Sequence, residues 1–79
     1  MSRASSVVEA VAKALADRPD SVRVTEREAR GQLFIELTMA PGDMGRVIGR
    51  QGRTAQAVRS LASLAAEIDG VLVSVDFRD

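Results

Sequence analysis

Apolar residues recur along this chain with two different periods, and the switches between them mark out its elements. Val8, Val11, Ala12 and Leu15 follow an i, i+3, i+4, i+7 pattern, which predicts an amphipathic helix from about Ser5 to Ala16. Asp17-Arg18-Pro19-Asp20 stops it, because a proline pushes the residue before it out of the helical region. Val22 and Val24 then alternate with Arg23 and Thr25 as a first strand, and Ala29-Arg30-Gly31 turns the chain back into a hairpin. On the return, Leu33, Ile35, Leu37 and Met39 share one face while Phe34, Glu36 and Thr38 share the other, the clearest strand in the sequence.

Ala40-Pro41-Gly42-Asp43 ends that strand and opens a short helix from Met44 to Ile48, with Asp43 as its expected cap. A Gly49 to Gly52 turn follows. From Arg53 to Ile68 the helical period returns: Val58, Leu61, Ala62, Ala65 and Ile68 mark the expected packing face, and Leu64 widens it. Asp69-Gly70 closes this helix, and Val71, Val73, Val75 and Phe77 alternate with Leu72, Ser74 and Asp76 as the last strand. The order is α-β-β-α-α-β. Two helices between the second and third strands allow those strands to pair in parallel, with the first strand antiparallel on the other side, so one sheet face carries all three helices.

The chain has 79 residues, 46% of them hydrophobic and 28% charged, which predicts one small globular domain over residues 1–79. No apolar run approaches the roughly 20 residues needed to span a bilayer, and no basic segment leads into an apolar one, so a soluble, unexported, cytoplasmic protein with no membrane partner is expected. With neither cysteine nor histidine, disulfide frameworks, thiolate metal sites and the usual acid–base pairs are excluded. No cofactor is expected, and serines without a histidine to activate them argue against an enzyme. The formal net charge is zero, yet between Met44 and Ala66 lie Arg46, Arg50, Arg53 and Arg59 with no acid among them. A neutral domain can thus carry one basic face.

That face centres on Val47-Ile48-Gly49-Arg50-Gln51-Gly52. Glycine tolerates positive φ and lets a phosphate approach the main chain, and a helix starting at Arg53 or Thr54 would point its free N–H groups and positive dipole end at that phosphate. Arg50 and Gln51 would flank it with charge and hydrogen bonds. A Walker-type loop is excluded, since Gly49-Arg50-Gln51-Gly52 lacks the longer run and its Lys-Ser/Thr ending. Gly45 reads as a small residue allowing close helix packing.

Order and motif together resemble a type II KH domain over nearly the whole chain, and more closely the small bacterial single-KH RNA-binding proteins of the KhpA type. The residues that carry the resemblance run from Ala40-Pro41-Gly42-Asp43-Met44-Gly45-Arg46 through Val47-Ile48-Gly49-Arg50-Gln51-Gly52-Arg53-Thr54, supported by Val73-Ser74-Val75-Asp76. The fold implied is α+β, a three-stranded mixed sheet covered on one face by three helices. The function implied is non-catalytic binding of single-stranded RNA in RNA metabolism or post-transcriptional regulation, with self-association as a homodimer and pairing with a larger Jag-type KH protein. In that frame Gly49 and Gly52 shape the loop, Arg50 and Gln51 meet the sugar-phosphate backbone, and Arg53 and Thr54 donate to a phosphate, with Arg46 as a further cation. Val47, Ile48 and Val58 would line an apolar groove for about four bases, with Val73 opposite.

There is no Trp or Tyr, and both Phe residues fall on strands, so little base stacking on aromatic rings is expected and a single groove should bind modestly. The competing class is a protein interaction module, motivated by Phe34 and Leu72, which would form an exposed apolar patch if their strands are adjacent.

Overall fold

The computed structural model describes residues 1–78; Asp79, the last residue of the expected domain, lies outside them. Helix α1 spans Arg3–Leu15 and starts earlier than its apolar period suggests. Its start is fixed by Ser2, whose hydroxyl accepts from the Ser5 N–H at 3.1 Å, while the Ser2 N–H donates to the Glu26 carboxylate at 2.8 Å. Ala4, Val8 and Ala12 are buried beneath it.

After a single 3₁₀ turn at Pro19–Ser21, strand β1 (Arg23–Ala29) pairs antiparallel with β2 (Gln32–Thr38). Two residues connect them: Arg30 and Gly31 have φ of 55° and 76°, the paired left-handed conformation of a tight hairpin whose twist matches the strands. Strand β3 (Leu72–Arg78) joins the other side of β2 in parallel, giving the order β1-β2-β3. Leu33, Ile35 and Leu37 of this central strand are almost completely buried under the helices. The expected α-β-β-α-α-β order and mixed sheet are both present.

The opposite sheet face is open. Register places Phe34 across from Ser74, and Leu72 across from Gln32, so the two apolar side chains lie one row apart on adjacent strands. Arg27 lies over the Phe34 ring at 4.5 Å from its centroid and covers part of it.

Helix α2 spans Met44–Ile48 and α3 Arg53–Ile68. Two expectations here are corrected. Asp43 does not cap α2 with its side chain. It is buried, and its carboxylate instead accepts from the Arg18 N–H at 3.0 Å, tying the start of α2 to the chain leaving α1. On α3 the buried face is Ala55, Val58, Ala62, Ala65 and Ala66, whereas Leu61, Leu64 and Ile68 are 46%, 60% and 71% exposed. The small alanines let α3 sit close against α1 and β3, and the larger residues that dominate the apolar pattern are turned to solvent.

Candidate nucleic-acid interface

The Gly-Arg-Gln-Gly segment is a tight reversal between two helices. The Gly49 N–H closes α2 by donating to the Gly45 carbonyl at 2.9 Å. Gly49 itself has φ 71° and ψ 177°, a region open essentially only to glycine. A side-chain carbon there would fall 2.9 Å from the Thr54 Cβ and closer still to its hydroxyl. Thr54 therefore packs onto the loop from the first turn of α3. Arg50–Gly52 form one 3₁₀ turn in which Gln51 (φ 57°, ψ 24°) and Gly52 (φ 72°, ψ 15°) are left-handed, and α3 begins directly at Arg53.

This places Arg50 and Gln51 exposed at the tip. The Gln51 carbonyl oxygen accepts from the Arg53 guanidinium at 3.3 Å, leaving the amide nitrogen to donate outward. No side chain caps α3 and no acid lies in its first turn, so its free N–H groups and dipole add to the field of the arginines. Arg46 is paired with Asp17 at 3.0 Å, but both side chains are more than half exposed, and such a pair contributes only about 0–1 kcal/mol. Among the described residues, no carboxylate comes within 4.0 Å of a charged nitrogen of Arg50, Arg53 or Arg59.

From the loop a trough follows the seam between α3 and the free edge of β3. Its first depression, about 350 Å³, is lined by Ile48, Gln51, Gly52, Ala55, Gln56, Arg59, Asp76 and Phe77. The second, about 380 Å³, shares Arg59 and adds Ser63, Val73, Ser74 and Val75. A third of about 410 Å³ continues past Ser63 and Val73 to Glu67, Val71 and Leu72. A smaller hollow of about 270 Å³ lies on the open sheet face, where Arg78 pairs with Asp76 at 2.7 Å and with Glu36 at 3.5 Å.

The sequence-predicted residues divide. Gly49, Arg50, Gln51, Gly52, Arg53 and Thr54 come together at the head of the trough, Arg46 lies one helical turn before Gly49 and is held by Asp17, and Ile48, 39% exposed, forms the trough's apolar rim. Val47 and Val58 are 0% and 1% exposed, so they have no surface to offer a base; they pack α2 and α3 together beneath the trough. Gly45 is exposed and a side-chain carbon there would meet nothing within 4 Å, so close packing is not what requires it. Arg59 was missed as a site residue. Its guanidinium lies 4.7 Å from the Phe77 ring centroid, on the wall shared by the first two depressions. Its signal in the sequence was the polar stripe Gln56, Arg59, Ser63, which continues the loop along one side of α3.

A family model described as "KhpA/KhpB, KH domain" matches residues 5–77. Among curated relatives, an "RNA-binding protein KhpA" from Halalkalibacterium halodurans is 49% identical over 74 residues, 94% of this chain and 97% of its own length. One of the same name from Caldanaerobacter subterraneus subsp. tengcongensis is 53% identical over 60 residues, 76% of this chain and 80% of the relative. Among solved structures, a crystal structure of Aquifex aeolicus Era bound to GDP and aluminium fluoride superposes with a TM-score of 0.66 at 22% identity. That match covers 94% of this chain and 29% of Era, a likeness of fold alone.

Proposed function

This chain belongs to the KhpA/KhpB KH-domain family, and we propose that it is a non-catalytic, cytoplasmic binder of single-stranded RNA acting in RNA metabolism or post-transcriptional regulation. The observation that carries the reading is the joining of the Gly49–Gly52 reversal, with its outward Arg50 and Gln51, to a trough open along β3. The backbone is gripped at the loop and at the start of α3 by Arg50, Gln51, Arg53 and the helix N–H groups. The bases turn inward past Ile48 toward the β3 edge, which a duplex, with its bases stacked and paired, cannot do. Relatives named as RNA-binding proteins support the same assignment.

The test replaces Arg50 and Gln51 together by Asp and measures fluorescence anisotropy with matched single-stranded and hairpin RNAs over a salt series. Two carboxylates on the phosphate path are expected to weaken binding at least about tenfold, while an exposed loop change alters stability by about 0.5 kcal/mol or less. Two or three neutralised phosphates give a slope of log K against log salt of about −1.4 to −2.1. Unchanged affinity in the folded variant, or tighter binding to the hairpin, would refute the site.

The exposed stripe Leu61, Leu64, Ile68 supports a second element of the proposal, a homodimer through α3. A Jag-type KH protein would compete for the same face. Sedimentation velocity tests this: Leu61→Asp with Leu64→Asp is expected to convert dimer to monomer, and a wild type that is monomeric at all concentrations would sink it.

A further inference from the structure

We propose that Arg59, placed over the Phe77 ring, is the base-reading residue of this trough and selects a nucleobase that presents two adjacent hydrogen-bond acceptors on one edge. The inference rests on the RNA-binding reading and adds to it a residue and a preference.

Arg59 is the residue common to the first two depressions, so a strand leaving the loop along β3 must pass it. It lies six residues beyond Arg53, about 9 Å further along the helix axis at 1.5 Å per residue. That separates it from a phosphate held at the start of α3 and places it where the bases enter. The guanidinium lies 4.7 Å from the Phe77 ring centroid. Contact with an aromatic ring restrains the side chain before any ligand arrives, so less of its entropy is lost per hydrogen bond formed. None of its donors is spent on a carboxylate within 4.0 Å among the described residues. Arg59 remains exposed while resting over Phe77, which leaves donors open to a ligand.

A rigid fork of donors pairs in bidentate fashion with two neighbouring acceptors. Cytosine presents N3 beside O2, and guanine presents O6 beside N7. Adenine and uracil present no such pair: each acceptor on their edges is flanked by a donor or stands alone. Asp76 also borders the first depression, but its carboxylate is turned to the open sheet face, where it accepts from the Arg78 guanidinium at 2.7 Å, so the reading of the base rests on Arg59. The shared chemistry is therefore an adjacent acceptor pair.

The test uses the full chain and short unstructured RNAs of A and U in which one position is left unchanged or replaced by C or by G. Wild type, Arg59→Lys, Arg59→Met and the Arg50→Asp/Gln51→Asp loop variant are compared by anisotropy, after circular dichroism confirms that each is folded. The wild type is expected to prefer the C- or G-bearing RNA by about 5- to 150-fold, the range of a good bidentate pair. Both Arg59 variants should lose that preference, with Lys no better than Met, because an ammonium keeps the charge but not the planar fork. The loop variant should weaken all the RNAs alike and keep their ranking. Full rescue by Lys, a uniform loss in the Arg59 variants, or a wild type that binds all the RNAs equally overturns the base-reading role while leaving the loop mechanism standing. A wild type that binds none of them overturns both.

Discussion

Replacing Gly49 by Ala tests the loop more sharply than any charge change, because two separable penalties meet at that residue. The first is conformational. At φ 71° and ψ 177° the backbone occupies a region that costs a residue with a side chain on the order of 1–3 kcal/mol. The second is steric: the new carbon would stand 2.9 Å from the Thr54 Cβ and nearer to its hydroxyl. Thr54 is β-branched and sits in the first turn of a helix, so its rotamers are few and relief must come from shifting the loop, a further cost of about 1–3 kcal/mol. Together these give about 2–6 kcal/mol, against total stabilities of about 5–15 kcal/mol for typical domains. Gly52→Ala is the internal control. Gly52 is left-handed but a side-chain carbon there meets nothing within 4 Å, so only the left-handed penalty of about 1–2 kcal/mol applies. With no Trp or Tyr to report, urea unfolding is followed by far-ultraviolet circular dichroism. At a slope of about 1 kcal/mol per molar urea, Gly49→Ala should lower the midpoint by about 2 M or more. Combining it with Thr54→Ala removes the hydroxyl part of the overlap, so the double mutant should be more stable than additivity by about 0.5 kcal/mol or more. Strict additivity, or a Gly49→Ala no worse than Gly52→Ala, would refute the account of the reversal.

Leu33→Ala, at a site 1% exposed, should cost about 2–5 kcal/mol, whereas Leu61→Ala, at 46% exposed, should cost under about 1 kcal/mol at concentrations where the chain is monomeric; equal denaturation midpoints would contradict the assignment of α3's faces. Asp43→Ala removes the buried carboxylate that accepts from the Arg18 N–H and should destabilise by about 1–3 kcal/mol, with Asp43→Asn recovering much of it because an amide oxygen still accepts; an Ala variant as stable as wild type would disprove that tie. Glu26 is held below the usual carboxylate range, chiefly by the hydrogen bond from the Ser2 N–H and also by Ser5. A depressed carboxylate contributes stability that is present above its unfolded pKa and lost as pH falls through its folded one. Glu26→Gln should therefore flatten the acid side of the stability–pH profile, below about pH 4.3, and leave its neutral side unshaped by this group. An unchanged acid limb in thermal melts would rule this out.

The fold was legible because its strands alternate strictly and its turns are punctuated by Gly, Pro and Asp. Leu33, Ile35 and Leu37 announced the buried face of β2, and Ala29-Arg30-Gly31 announced the hairpin. Helix α3 was legible in its bounds and in Val58, Ala62 and Ala65, but not in the direction its large apolar residues face. Its buried face is built from Ala55, Ala62, Ala65 and Ala66 around Val58, and alanine adds too little apolar contrast to win against Leu61, Leu64 and Ile68 in a periodicity reading. The cap expectation at Asp43 failed for a related reason: local sequence shows a carboxylate before a helix but not the Arg18 N–H brought to it across the fold. Arg59 was visible as a charge and invisible as a stack, since its partner Phe77 lies on a strand distant in sequence.

At 100° per residue the three roles of α3 fall into separate sectors of one helix. Gln56, Arg59, Ser63 and Glu67 share the side that walls the trough, the alanines and Val58 share the side against α1 and the sheet, and Leu61, Leu64 and Ile68 share the third, each sector about 120° from the next. Burying the apolar stripe against a second copy therefore leaves the trough wall uncovered on both chains. A dimer so formed carries two weak grooves on one rigid axis, and an RNA long enough to reach both gains from the high effective concentration of the second without any new contact. RNA affinity should then rise with protein concentration across the dimerisation range for long strands and stay constant for strands that fill one groove. A Leu61→Asp/Leu64→Asp chain, monomeric and with its loop and Arg59 intact, should bind the short strand as wild type does and lose the gain on the long one.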